Sequence, residues 1–132
     1  MFRRKSLSPD LAERFVAFQS VLEELEPAKA GLTDVLPGTR MPGRPLDDAL
    51  VEFERRLERA RTSMPAWRHP DVETEWVACE EGVGAALDLA RRAREDAPDV
   101  IGFEGLLGLV EELMDPLDPF VAAEERFRGL RR

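Results

Sequence analysis

Apolar residues recur at alternating steps of three and four through most of the chain, and prolines or short polar clusters break the pattern between segments. That period marks one face of an α-helix, so the pattern predicts a succession of amphipathic helices. The first opens at Ser8-Pro9-Asp10, read as N-cap, first-turn proline and an acid at the positive end of the helix dipole. Its core stripe is Leu11, Phe15, Phe18, Leu22 and Leu25. Pro27 is expected to kink or end it, with Ala28 to Leu36 able to continue as a further short helical piece. Prolines and glycines then crowd residues 37–45, which read as a linker.

The second helix carries Asp47 and Asp48 in its first turn and a stripe of Leu46, Leu50, Phe53, Leu57, Ala60 and Met64. Its other side is charged and reads as a solvated face, with helical pairs expected between Glu52 and Arg56 and between Glu58 and Arg61. His69-Pro70-Asp71 opens a third helix running to about Asp96, with Val72, Trp76, Cys79, Val83, Ala86, Ala90 and Ala93 inward. Pro98-Asp99 restarts a fourth, whose apolar positions are Phe103, Leu106, Leu107, Val110, Leu113 and Met114 and which ends near Asp115-Pro116. Asp118-Pro119 caps a fifth with Phe120, Ala123, Phe127 and Leu130 inward. Sustained period-2 alternation is absent and β-branched residues are sparse, so no strand is predicted.

The expected fold is therefore all-α: an antiparallel up-down helical bundle of about four long helices plus a short C-terminal helix. Residues 9–130 form one domain and residues 1–8 a basic, flexible N-terminus. The longest uncharged run, Phe15 to Leu22, is eight residues, far below the roughly 20 that a membrane-spanning helix needs. The basic start at Arg3, Arg4 and Lys5 leads into Ser6 to Asp10 rather than an apolar stretch, so no secretory signal is expected and the location is read as cytoplasmic.

Charge narrows the partners. The chain carries a net charge of −8, yet residues 1–8 hold three basic groups and 126–132 hold four, with no acid in either. The body between them is strongly acidic and would repel a phosphate backbone, which argues against nucleic acid and leaves a protein partner or a second copy, in a possible homodimer. A single cysteine, Cys79, and a single histidine, His69, exclude an internal disulfide and a Cys/His zinc site.

Candidate chemistry is thin, and no catalytic, cofactor-binding or metal-ligating residue is assigned. Cys79 lies on the apolar stripe and reads as a small core residue, while His69 reads as an exposed residue at the start of a helix. Glu23/Glu26 and Glu112/Asp115 have the spacing by which all-α nucleotide pyrophosphatases hold magnesium. Both pairs fall at predicted helix C-terminal ends, where carboxylates oppose the dipole. The unusual residues are small ones inside helices: Ala78, Gly82 and Gly84 in the third, Gly102, Gly105 and Gly108 in the fourth. Each helical glycine costs up to about 1 kcal/mol relative to alanine, which calls for close approach of another backbone in compensation.

Trp67, in the turn before the third helix, reads either as a plug of the bundle end or as an exposed anchor. The interface candidates are thus Trp67, Ala78, Gly82, Gly102, Gly105 and Gly108. The expected function is non-catalytic protein interaction, regulatory or scaffolding. The alternatives are a binder of a small apolar ligand among Phe15, Phe18, Phe53, Trp76 and Phe103, and a magnesium-dependent hydrolase using Glu23, Glu26, Glu112 and Asp115.

Overall fold

Ser8 starts the first helix as its spacing predicts: its hydroxyl accepts the Leu11 N–H at 3.4 Å, with Pro9 and Asp10 in the first turn. The structure, a computed structural model, describes residues 6–36, 45–96 and 102–131. Most of the predicted linker, the start of the basic N-terminus and Pro98-Asp99 lie outside the described residues. Among those described there are five α-helices and no strand: α1 (Pro9–Thr33), α2 (Leu46–Ser63), α3 (Glu73–Asp96), α4 (Phe103–Met114) and α5 (Pro119–Gly129). None is long and apolar enough to cross a membrane. Single 3-10 turns at Met64–Trp67 and Pro70–Val72 join α2 to α3, and another at Asp115–Leu117 joins α4 to α5.

Helix α1 runs through Pro27 without ending. A proline there deprives the Glu23 carbonyl of its helical donor. The helix continues because Leu25, Ala28 and Leu32, on either side of that defect, are all buried in one core. The buried stripe also shifts from the predicted one: Val21 is fully buried and Leu22 only partly, since successive steps from Phe18 go through Val21 and Leu25 to Ala28 and Leu32. Over seven helical turns that sequence of steps stays on one face, whereas a shorter helix ending at Pro27 would not need to correct its drift.

Helix α1 packs on α2, α2 on α3, and α3 on α5 and on the 115–117 turn; α4 touches that turn, α3 and α1. The interior is aromatic at one end. Phe18 meets the Trp67 ring edge-on at 4.9 Å between centroids, and Phe127 lies 5.4 Å from Phe18 and 5.2 Å from Phe15. Phe120 and Trp76 close the group at 6.5 Å from Trp67.

The charged side of α2 is in part a seam: Glu52, Glu54 and Arg56 are half-buried, while Arg55, Glu58, Arg59 and Arg61 stay exposed as expected. Glu54, only 13% exposed at its side chain, accepts from Arg94 of α3 at 2.6 Å, and Arg94 also reaches Asp47. Glu58 pairs with Arg91 of α3 at 2.8 Å instead of with Arg61, because α3 lies close enough to supply a better-placed guanidinium. Glu52 does pair with Arg56 at 3.1 Å, and Arg56 continues to Glu24 of α1 at 3.3 Å. The arginines of these pairs remain open to solvent, which screens the attraction, so the pairs are weak stabilisers individually.

Gly82 is where a glycine is required. A Cβ there would overlap the carbonyl oxygen of Pro116, a backbone atom that cannot turn aside, whereas a Cβ on Gly84 would meet nothing within 4 Å. Alanine should therefore act in opposite directions at these two sites of one helix. Gly82→Ala is expected to destabilise by about 1–3 kcal/mol, lowering the melting temperature by several degrees. Gly84→Ala is expected to stabilise by up to about 1 kcal/mol. Thermal melts of both variants followed by circular dichroism check the pair, and shifts of the same sign would contradict the packing described.

Candidate functional site

Helix α4 departs from the rest of the fold. Gly102 precedes it, offering no side-chain cap, and the first helical bond closes from the Leu106 N–H to the Gly102 carbonyl at 2.9 Å. Six of its positions were expected inward, yet only Val110 and Leu113 are buried. Leu106, Leu109 and Met114 pack partly against the core, Leu107 is half-buried outside it, and Phe103 is 54% exposed. The reason is attachment at one end: Val110, Leu113 and the following Leu117 hold the C-terminal half, and the N-terminal half extends past the surface it could cover.

The exposed side has an order set by the helical period. Phe103 and Leu107, one turn apart, make an apolar ridge. Glu104 and Glu111 run alongside it, seven residues or about 10 Å apart at the helical rise. Gly105 and Gly108 come next and present bare backbone, and a Cβ on Gly102 or Gly108 would meet open space. Glu104, Glu111, Glu112 and Asp115 are exposed, and none of them forms an ion pair among the described residues. The chain from Glu95 to Glu125 contains no Lys or Arg that could provide one locally.

The other interface candidates separate from this face. Trp67 is fully buried, its indole N–H donating to the Met64 sulfur at 3.2 Å, so it plugs the bundle and has no exposed ring to serve as an anchor. Gly82 is covered by Pro116, and Ala78 is half-buried on α3. Close approach thus accounts for Gly82 within the fold. A Cβ on Gly102 or Gly108 would meet no such cover, and Gly105 is exposed.

Neither chemical alternative has all of its residues gathered at one place among the described residues. Among the described residues no three His, Cys, Asp or Glu side chains gather as a metal site, so Glu23, Glu26, Glu112 and Asp115 do not converge. Glu23 and Glu26 lie within α1 rather than at its end, because the helix passes Pro27. Of the proposed ligand-binding rings, Phe15, Phe18, Phe53 and Trp76 are buried in the core while Phe103 is on the surface. An open cleft of about 490 Å³ lies instead between the start of α1 and the end of α5, lined by Ser6, Leu7, Ser8, Leu11, Asp71 and Leu130.

Beside that cleft His69 has partners that its sequence context did not reveal. Its Nδ1 accepts the Asp71 N–H at 3.0 Å, which leaves the proton on Nε2, 3.0 Å from the Asp10 carboxylate. Both ring nitrogens are engaged, so neither is free to act as a base toward a substrate. The imidazole joins the first turn of α1 to the turn before α3, and it is only 17% exposed, not the surface residue expected. Nearby, Arg68 lies over the Trp76 ring at 4.1 Å and bonds Glu73, whose carboxyl it holds below its usual value. These groups lock a corner of the fold.

Compared with known protein families, with curated proteins and with solved structures, the chain matches none.

Cys79 is fully buried on α3, and burial, with Glu75 adding to it, pushes its thiol up to about 12. Because the folded value lies above the unfolded one, the contribution to stability is whole below about pH 9 and declines as pH climbs toward 12. Near neutral pH the native protein should leave an aromatic disulfide reagent unreacted over many minutes and consume one equivalent at once in guanidinium. Immediate reaction of the native protein would place the thiol at the surface.

Proposed function

We propose that the chain is a non-catalytic protein-interaction module, regulatory or scaffolding in role, whose contact surface is the exposed side of α4. In this reading α1, α2 and α3 form an antiparallel up-down scaffold with the short α5 closing one end, and the module works in the cytoplasm. The observation that carries it is the apolar ridge of Phe103 and Leu107, set on a helix whose remaining exposed positions are glycines and unpaired acids. A large exposed ring beside a half-buried leucine is a favourable site for burial by another protein.

Two measurements test it. Phe103→Ser should change stability by no more than about 0.5 kcal/mol, because the ring is outside the core. A photo-crosslinking residue placed at 103 in the living source cell should give a discrete covalent adduct that the same residue at 85, on the exposed side of α3, does not give. An adduct near twice 14.9 kDa would identify a second copy, and any other discrete mass a different protein. No discrete adduct from 103, or equal labelling from both positions, would overturn the reading.

A further inference from the structure

The charges around the ridge restrict what can cover it. Glu104 and Glu111 border Phe103 and Leu107 on the open side, Glu112 and Asp115 follow at the C-terminal end, and all four lack ion-pair partners among the described residues. Elsewhere the acids that face a neighbouring helix are matched by arginine, as Glu54 by Arg94, Glu58 by Arg91 and Glu24 by Arg56. Covering the ridge would draw Glu104 and Glu111 out of water, which is unfavourable unless the covering surface brings cations. Two copies of α4 packed on each other in a two-fold dimer would bring only acids to these acids, and a phosphate-rich or anionic lipid surface would be repelled in the same way.

From this we infer that the occupant of the α4 face is a cationic amphipathic protein segment: a helix with an apolar stripe that buries Phe103 and Leu107 and with basic residues two turns apart that meet Glu104 and Glu111. The inference rests on the interaction reading above and gives that partner its chemistry. The open space over Gly108 lets the long stem of a lysine or arginine lie flat against α4 while its head reaches a carboxylate. Nearly parallel packing of two helices would keep the apolar stripe and the charge row in contact over several turns.

The test is a titration of the isotope-labelled full chain, followed residue by residue in amide NMR spectra, with three synthetic peptides of equal length. One has leucine and lysine in helical period, one replaces every lysine by glutamate, and one keeps the lysines but replaces leucine by serine. The leucine–lysine peptide should move the resonances of 103–115 first, and its affinity should fall at least tenfold in Leu107→Ser and at least tenfold in the double variant Glu104→Gln/Glu111→Gln. Both variants should keep the dispersed spectrum of the folded chain, since the changed side chains lie outside the core. The serine–lysine peptide should bind weakly and without preference for α4. Shifts spread over the acidic surfaces of α1 to α3, or full affinity in the double glutamine variant, would overturn the inference. Binding of the leucine–glutamate peptide at 103–115 would overturn the cationic chemistry and leave the interaction reading intact. Failure of every peptide to move α4 would also overturn the cationic chemistry, and the interaction reading would then rest on crosslinking from 103 alone.

Discussion

The burial of Trp67 is the contact on which the arrangement of this chain depends. The Met64–Trp67 turn carries the indole into the middle of the protein, where Phe18 of α1 and Phe120 and Phe127 of α5 lie around it. An aromatic ring buries roughly 150–250 Å², more than any aliphatic side chain in this core, so the position of Trp67 outweighs that of its neighbours. Its polar atom is met as well. The Met64 sulfur takes the Trp67 N–H, and the Met64 carbonyl takes the Trp76 N–H at 2.8 Å. One residue at the end of α2 thereby fixes two indoles and the angle at which α3 leaves the turn. His69 on Asp10 and Arg14 on the Ala66 carbonyl tie the same turn to the start of α1.

A second constraint follows along α3. Because Gly82 has no side chain, the Pro116 carbonyl can rest directly on the helix backbone, and the 115–117 turn closes against α3 at that point. The turn fixes the C-terminal end of α4 and the start of α5. Helix α5 is drawn inward by Phe120, Ala123 and Phe127, all buried. Helix α4 leaves the turn in the other direction with only Val110 and Leu113 buried, which is why its first two turns project Phe103 and Leu107 away from the core. The exposed face is thus a consequence of where a glycine permits a turn to sit.

Helix boundaries were largely legible in the sequence because prolines, caps and first-turn acids act within a few residues of where they stand. Ser8 at the start of α1 and Pro119 at the start of α5 are such signals. The features that were not legible depend on what lies opposite in space. Pro27 has a local cost that reads as a break, and only the shared burial of Leu25, Ala28 and Leu32 lets the helix continue. Glu58 has Arg61 within helical reach and is taken by Arg91 of α3. Asp10 and His69 meet across fifty-nine positions with no pattern to announce them. On α4 the hydrophobic period was present in full, but periodicity states which positions share a face and not whether a neighbour exists to cover it. The six glycine, alanine and tryptophan candidates split for the same reason: small residues mark where a backbone may approach, and Gly82 met one while Gly102 and Gly108 did not.

Helix α4 is also where local electrostatics runs against stability. Glu111 and Glu112 occupy its last turn, and Asp115 follows directly. Carboxylates there face the negative end of the helix dipole, an unfavourable placement of roughly 0.3–1 kcal/mol each at an exposed site. Adjacent like charges add to it, and no cation within the described structure offsets the sum. On α2 the comparable acids, Glu54 and Glu58, are turned to use by the arginines of α3, and a hydrogen bond from Arg94 to Glu54 is strong enough to raise the guanidinium above its ordinary value. The chain therefore matches acidic residues where α2 meets α1 and α3, and leaves those beside the α4 ridge unmatched, as it does exposed acids such as Glu13 and Glu81. Helix α4 breaks two local rules together, in charge and in burial, where the fold gains nothing from either departure. The partner that would remove both is one that supplies apolar cover and positive charge together.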